Sequence, residues 1–565
     1  MKLKICIFSY IIILLIAIKC FFLLSIFFIE KEALLTKYIF ILGGILLESI
    51  TLLSNRQFIH IDKLTIYTIL FISYLLIRNG FIFPRILGCL CLIGFLFIYL
   101  FFKRYKLLEI KINTIITLSC LSQALYGLLQ YYHIVNLESH FSIIGSYDNP
   151  AGFAAGLAIT FPICLSLFDL TKLQRLIAIF SILIITTAII LSESRAGIIS
   201  IIVVAIIYAY NRLPKKFIKF KKYLIPTIFL LGIIIFIILL ILKKDSALGR
   251  LLIWQITLEM IKDNLFFGGG NGTFLANYME YQANFFIHNP NNQYTLLADN
   301  VLHPFNEFLL ILVEYGTITF VLLISIIIIM FRSHKLCSPY ILCLLSLGIF
   351  SLFSYPFKYP FTWLIVAYCF AQTNKTHETY LIITLFWKKV IKISCLIIII
   401  TGSILLIKDI RFEYQWNRIV QESLSGKIRE ILPIYEDLHD SWNGNYLFLY
   451  NYGAELNRIQ EYDKSIDLLK QCEQYWNDYD IQMLLADNYF NLKKWNDAEL
   501  YYTKASHMCP NRFIPLYKLQ EIYLYTNRKY EAMQIAQLLI TKEVKIESPI
   551  INSIKTRMRK YTISN

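Results

Sequence analysis

Charge is scarce in the first 407 residues of this 565-residue chain. Between Arg175 and Arg212, Glu193 and Arg195 are the only carboxylate or basic side chains. Apolar runs of about 18 residues recur in this part of the chain. A globular domain does not carry so many such runs, which excludes a soluble core. The twelve cysteines have no zinc-like spacing. All but Cys472 and Cys509 sit in or beside apolar runs, as buried small hydrophobes do. Those two are the candidates for a disulfide. The N-terminus has a basic start and a long apolar run but no small-x-small cleavage site, and so reads as an uncleaved first span. No Asp-x-Asp pair and no cluster of His and Asp stands out, so neither a metal site nor a cofactor is expected. The net charge of +16 does not point to nucleic acid, because much of the basic excess lies in short loops between spans.

What is present is an all-α, polytopic membrane pattern of about 12–13 spans. Candidate spans fall at roughly 4–29, 37–54, 64–78, 85–102, 113–134, 151–168, 175–192, 196–211, 223–242, 305–330, 339–355, 359–372 and 390–407. The basic loops, such as 102–106, 171–175, 211–222, 331–335 and 387–389, fall on one side, expected to be cytoplasmic. The N-terminus is then inside and residues after 408 outside. N-terminal helices are expected over 1–110, a membrane core over 111–372 with a large outer loop at 243–304, and a last span over 373–410. A linker at 411–440, helical repeats at 441–545 and a tail at 546–565 complete the plan.

In the C-terminal part, residues 479–512 form a 34-residue unit with Leu485, Ala486, Tyr489, Ala498, Tyr502, Ala505 and Pro510 at fixed places. Gly453, Leu456, Tyr462, Ser465 and Cys472 repeat it 33 residues earlier, and Gln520, Tyr523, Lys529 and Ala532 repeat it 34 later. This resembles the tetratricopeptide pattern. Small residues at these places let two helices pack closely, and about three units suffice for a stack. A hairpin array with no binding role fits the same pattern.

Four clusters hold the candidate chemistry. The 36 residues at 176–211 would make a helix of about 54 Å, too long for a core of about 30 Å. Split at "SESR", they form a hairpin with Glu193 and Arg195 at its outer tip, where an interfacial ion pair is the plain reading. In "HPFNEFLLILVEYG", Pro304 suits a first helical turn, which places His303, Glu307 and Glu314 on one face. A carboxylate beside His303 would stabilise its imidazolium as it takes a proton. In "GRLLIWQITLEMIKDNLFFGGGNG", Arg250 and Trp254 are i,i+4 neighbours on a helix fit to dock on the spans. Gly268 to Gly270 end it and free the backbone to approach a ligand. In "GSYDNPAGFAAGL", Asp148 or Asn149 caps a helix opened by Pro150, and Gly152 and Gly156 form a close-packing pair. The helix amides there face the outer side and suit an anion, so Asn149 is a substrate-binding candidate. All four clusters lie at outer ends, where arginine can grip a phosphate bidentately.

The order "SRAG", "GRxxxW", "FFGGGNG", "HxxNE", "EYG" resembles the O-antigen ligase and polymerase superfamily, most strongly over 145–316. "DNPAGFAAGLAI" is similar to that family's NPN-type segment, although Ala151 follows the proline here. The resemblance implies metal-independent transfer of a glycan from undecaprenyl diphosphate on the periplasmic face of the bacterial inner membrane. It implies that Arg195 and Arg250 hold the diphosphate and that His303 is the base or positions the acceptor. Glu307 and Asn306 would orient His303 and the acceptor; no role passes to Glu193. The acceptor is a lipid A-core sugar, a Ser or Thr of an exported protein, or another repeat unit in a polymerase. The repeats are expected to present a protein acceptor or partner. A flippase of lipid-linked glycans is the rival outside enzymes, and it would place charges through the midplane.

Overall fold

The computed structural model describes residues 33–53, 62–80, 86–104, 109–135, 140–212, 244–290, 292–333, 337–373, 385–441 and 445–564. The expected spans at 4–29 and 223–242 lie outside these residues. Every regular element among the described residues is helical. The membrane part comprises α1 (Ala33–Leu53), α2 (Lys63–Asn79), α3 (Ile86–Arg104), α4 (Glu109–Tyr131), α5 (Pro150–Ser166), α6 (Lys172–Leu191) and α7 (Arg195–Arg212). After α8 (Lys244–Asp263) and α9 (Thr273–His288) come α10 (Glu307–Ser333), α11 (Pro339–Phe353), α12 (Pro360–Gln372) and α13 (Leu385–Leu424). Among the described residues seven helices are long and apolar enough to cross a membrane. The chain is a multi-pass membrane protein.

The core forms around α5. Its small residues let neighbours approach from every side, and all of Gly152 to Leu165 is buried. The two glycines admit aromatic rings rather than a second backbone. A Cβ on Gly152 would lie 2.2 Å from the Tyr359 hydroxyl, and one on Gly156 2.1 Å from that of Tyr147. The helix ends define two faces. At one, cations meet carboxylates: Arg104 with Glu48 and Lys103 with Asp62, each at 3.0 Å, and Arg212 with Asp169. At the other lie Asn79, Asn149, Arg195, Glu307 and Tyr359. α11 and α12 have only 15 and 13 residues, about 22 and 20 Å of helix. The turn "SYPFKY" between them comes at this second face.

α13 runs 40 residues, past the expected span end and into the expected linker. No Gly or Pro interrupts it between Gly402 and Gly426, where φ reaches +89°. α14 (Ile428–Ser441) fills the rest of the linker, and α21 (Pro549–Ser564) occupies the expected tail. Between them stand three tetratricopeptide-like hairpins. These are α15 (Tyr446–Arg458) with α16 (Tyr462–Glu473), α17 (Tyr479–Asn491) with α18 (Trp495–Met508), and α19 (Ile514–Tyr525) with α20 (Lys529–Thr541). Each turns through a left-handed residue at the same place in the repeat: Gln460, Lys493 and Asn527, with φ of +70°, +56° and +59°. The pattern residues Cys472, Leu485, Ala486, Ala498, Ala505 and Ala532 are fully buried. Cys472 and Cys509 are free and buried, so they do not form the disulfide considered for them.

The repeats share a core with the loop helices. Tyr479, Ala505, Met508 and Cys509 pack with Phe274, Tyr278 and Phe286 of α9. Around that core, Gln282 donates to the Met508 carbonyl at 2.7 Å and Asn511 to that of Ala298 at 2.7 Å. Lys504 pairs with Glu280 at 2.7 Å and Arg512 with Asp299 at 2.9 Å. An unpaired charge in this core costs several kcal/mol. Met508→Asp is therefore expected to detach the repeats from α9. Limited proteolysis should then cut the 289–300 segment at least tenfold faster, and an unchanged cleavage rate would contradict the shared core.

Candidate functional site

Asn149 is the cap of α5: its Oδ1 accepts from the Gly152 amide at 2.8 Å. Its amide nitrogen donates to Asp148 at 2.8 Å and to the hydroxyls of Tyr359 and Tyr355 at 3.1 and 3.2 Å. Tyr359 donates to Asp148 at 2.8 Å, and Asp148 pairs with Lys358. The "DNP" stretch thus anchors the "YPFKY" turn. Tyr355, Lys358 and Tyr359 are site residues that the sequence reading missed. Their signal was an aromatic, cationic turn crowded between two unusually short spans.

The "SESR" hairpin forms as expected. Glu193 is exposed at its tip with φ +52°. Ser194 caps α7 by accepting from the Gly197 amide at 3.3 Å. Arg195 is therefore the first residue of α7. Helix starts carry positive partial charge, so a cation gains nothing there from the fold. Placing one there instead concentrates positive potential at the helix start, an arrangement suited to an anion.

Arg250 approaches from α8. Its guanidinium lies 5.4 Å from the Phe305 ring. One turn on, the Trp254 indole donates to the Pro304 carbonyl at 3.0 Å. Burial, and then the nearby charge of Arg195, push the Arg250 pKa below its ordinary value. The hairpin and the loop helix thus bring two guanidinium groups together.

His303 lies outside the helix, which corrects the one-face expectation. The first helical residue is Glu307, because Asn306 is the cap: its Oδ1 accepts from the amides of Phe308 and Leu309 at 3.0 and 3.1 Å. Phe305, with φ +53°, reverses the chain just before it. His303 stacks on Tyr355 at 4.6 Å between ring centroids and 25° between planes. Burial first, then the charges of Lys358 and Lys37, together push its pKa down to about 4 against the opposing charge of Asp148. Glu307 does not orient it directly. Its buried carboxylate accepts from the Phe357 amide at 3.0 Å, tying α10 to the "YPFKY" turn. Asn306 likewise spends its side-chain oxygen on the cap. Tyr355 is the hub, touching Asn149, His303 and Phe305.

The glycine loop approaches a helix, not an open site. α8 ends before it, and Gly269 and Gly270 donate to the carbonyls of Val313 and Glu314 at 2.9 and 2.8 Å. In return Thr317 donates to Leu265 at 2.9 Å. α10 opens to allow this at Gly316, where φ is +73° and ψ −174°. The Glu314 carboxylate faces the loop and accepts from the Gly272 amide at 2.9 Å. A Cβ on Gly316 would sit 2.2 Å from the Phe266 carbonyl oxygen. Strained backbone of this kind costs about 1–3 kcal/mol for other residues, and the clash adds to it. Gly316→Ala is expected to lower the Tm of detergent-solubilised protein by several degrees. An unchanged Tm would contradict the pairing.

The structure thus unites Asn149, Arg195, Arg250 and His303 on one face, with Asn306 and Glu307 holding the turn that carries His303. Among the described residues no group of three or more His, Cys, Asp and Glu side chains is placed to hold a metal ion. Residues 180–324 match the O-Antigen ligase family model, Wzy_C. The match takes in Arg195, Arg250, His303, Asn306 and Glu307; Asn149, Tyr355, Lys358 and Tyr359 lie outside it. No curated protein matches the chain. Among solved structures, the crystal structure of the APC/C hetero-tetramer Cut9-Hcn1 is similar at 10% identity and a TM-score of 0.22, over 94% of this chain and 84% of that one. So low a score carries no argument.

Proposed function

We propose, from the O-antigen ligase match over residues 180–324, that this membrane protein transfers a glycan from undecaprenyl diphosphate to an acceptor hydroxyl. The convergence of Arg195, Arg250 and neutral His303 on one face supports this reading best. The acceptor oxygen attacks the anomeric carbon while His303 takes its proton. The bond from that carbon to the diphosphate oxygen breaks, and the diphosphate leaves with the electron pair. Arg195 and Arg250 stabilise the charge that builds on it. Asn149 and Tyr355 position the imidazole and the donor, and Glu307 and Asn306 hold the His303 turn. By the basic loops of the opposite face, the site faces the periplasm of a bacterial inner membrane. The reading includes no metal and no cofactor.

Ligase and polymerase differ only in the acceptor: a lipid A-core sugar, a Ser or Thr of an exported protein, or a second lipid-linked unit. Repeats docked on the loop beside the site favour an acceptor or partner of protein. A flippase fits less well, because ionisable residues of the described spans gather near their ends. The test is purified protein with a lipid-linked glycan and each acceptor, read by product mass. Transfer that persists in chelator is expected. Absence of transfer to all three acceptors overturns the proposal, and transfer restored only by a divalent ion overturns its metal-free part.

A further inference from the structure

Residues 298–306 carry His303 but belong to no regular element, so their backbone groups find partners on other elements. Downstream of His303 the path is fixed from the membrane part. The Trp254 indole of α8 donates to the Pro304 carbonyl at 3.0 Å, and Asn306 caps α10. Upstream it is fixed largely by the repeats. Asn511 donates to the carbonyls of Leu296 and Ala298 at 3.2 and 2.7 Å, and Arg512 pairs with Asp299 at 2.9 Å. From α9, Gln282 donates to the Asp299 carbonyl at 3.1 Å.

Asn300 makes the contact with the repeats that lies nearest His303 along the chain. Its Oδ1 accepts from the Tyr479 amide at 3.1 Å, and its Nδ2 donates to the Asp480 carboxylate at 2.9 Å. Both partners belong to the first turn of α17, which Asp478 caps by accepting from the Ile481 amide at 3.0 Å. The first amides of a helix find no acceptor within it, and Asn300 supplies one for Tyr479 from outside. A carboxamide accepts and donates at once, as this pairing requires. The next residue, Val301, packs in the core shared by α9 and the repeats. From Asn300 to His303 is at most about 11 Å of extended chain. So short a tether has little slack, and a shift at the start of α17 reaches the imidazole on Tyr355.

We infer that Asn300 is a positioning residue that ties His303 to the docked repeats, so that the repeats complete the transfer site. This rests on the glycan-transfer reading. Arg195 and Arg250 are carried by α7 and α8, which the tether does not include. Its loss therefore spares the grip on the donor and misplaces the base, and a misplacement of about 1 Å can cost about 10²-fold in rate.

The test is Asn300→Asp in the full chain. That change keeps an acceptor for Tyr479 but sets a carboxylate against Asp480, and like charges repel. The kcat for transfer is expected to fall at least about tenfold, with KM for the lipid-linked donor changed less than about twofold. The acid limb of kcat/KM should move up from about 4, where burial, Lys358 and Lys37 hold His303 against Asp148. A displaced ring regains water, whereas a mere loss of folded protein leaves the limb in place. Asn300→Asp with Asp480→Asn puts a donor opposite the new carboxylate and should restore both kcat and the limb. Carbethoxylation of His303 by diethyl pyrocarbonate, read by peptide mass, should be several-fold faster in Asn300→Asp and return to the wild-type rate in the double variant. This modification needs no turnover, so an unchanged rate in Asn300→Asp overturns the inference whether or not the wild type transfers glycan. A faster-reacting His303 with full kcat overturns it too, because the tether then does not serve the reaction. A wild type that transfers nothing overturns the glycan-transfer reading instead, and the positioning role in transfer with it.

Discussion

Arg195→Ala is expected to lower the rate of glycan transfer by about 10²–10³-fold, the usual cost of removing one charged stabiliser of a developing anion. The protein should still insert and accumulate. Arg195 is the first residue of α7, where a cation is disfavoured by the helix, and its charge lies close enough to Arg250 to lower that residue's pKa. Two like charges held together in a partly buried place do not help folding. Their removal should leave the Tm unchanged or slightly raised while activity collapses. Arg250→Ala should lose a similar factor, and the double variant less than the product of the two, because both act on one group. Arg195→Lys should recover little, since an ammonium lacks the planar fork that meets two phosphate oxygens at once. Near-normal transfer by Arg195→Ala, or a large fall in Tm that accounts for lost activity, would remove Arg195 from the site.

Arg195 shows what a sequence can disclose. Helix length alone placed it at a hairpin tip, because a stretch of 36 residues is too long to cross a membrane as one helix. The cap at Asn149 and the small residues of the repeats were equally legible, since local rules determine them. The harder features depend on partners distant in sequence. "GGGNG" looked like a ligand loop because its own composition says only that the backbone is bare. Its partner is the opening of α10 at Gly316, and nothing local announces that a residue in an apolar run will leave the helix. Likewise Pro304 suggested a helix starting there, but the Asn306 cap and the left-handed Phe305 delay it to Glu307. That delay takes His303 off the helix face and places it on Tyr355. Helix runs through the expected linker for the opposite reason. A change from apolar to mixed composition ends a span, but only a breaker ends a helix, and the next one is Gly426.

The position of His303 sets its pH behaviour, which is the sharpest test of its role. His303→Ala should cost about 10²–10⁴-fold if the imidazole takes the acceptor proton. The neutral form is the competent one, so activity requires a pH above its pKa. With that pKa near 4, about one imidazole in a thousand is protonated at pH 7. The profile of kcat/KM, which reports the free enzyme, should therefore be flat from pH 6 to 8 and fall only as pH drops towards 4. Lys358 is among the causes of the low value. Lys358→Met removes that cation and should move the acid limb upward, towards the ordinary 6.5 of histidine. A bound diphosphate brings negative charge to the same surroundings and should act in the same direction. The kcat profile, which reports the enzyme with donor bound, should then have its acid limb at a higher pH than that of kcat/KM. This order of limbs also removes an apparent difficulty: a base with a pKa near 4 is weak, but it strengthens once the anionic donor arrives. A kcat/KM limb near 6.5 in the wild type would show that His303 is not held neutral by its surroundings. Limbs that coincide, with no change in Lys358→Met, would show that its proton is not the one in transit.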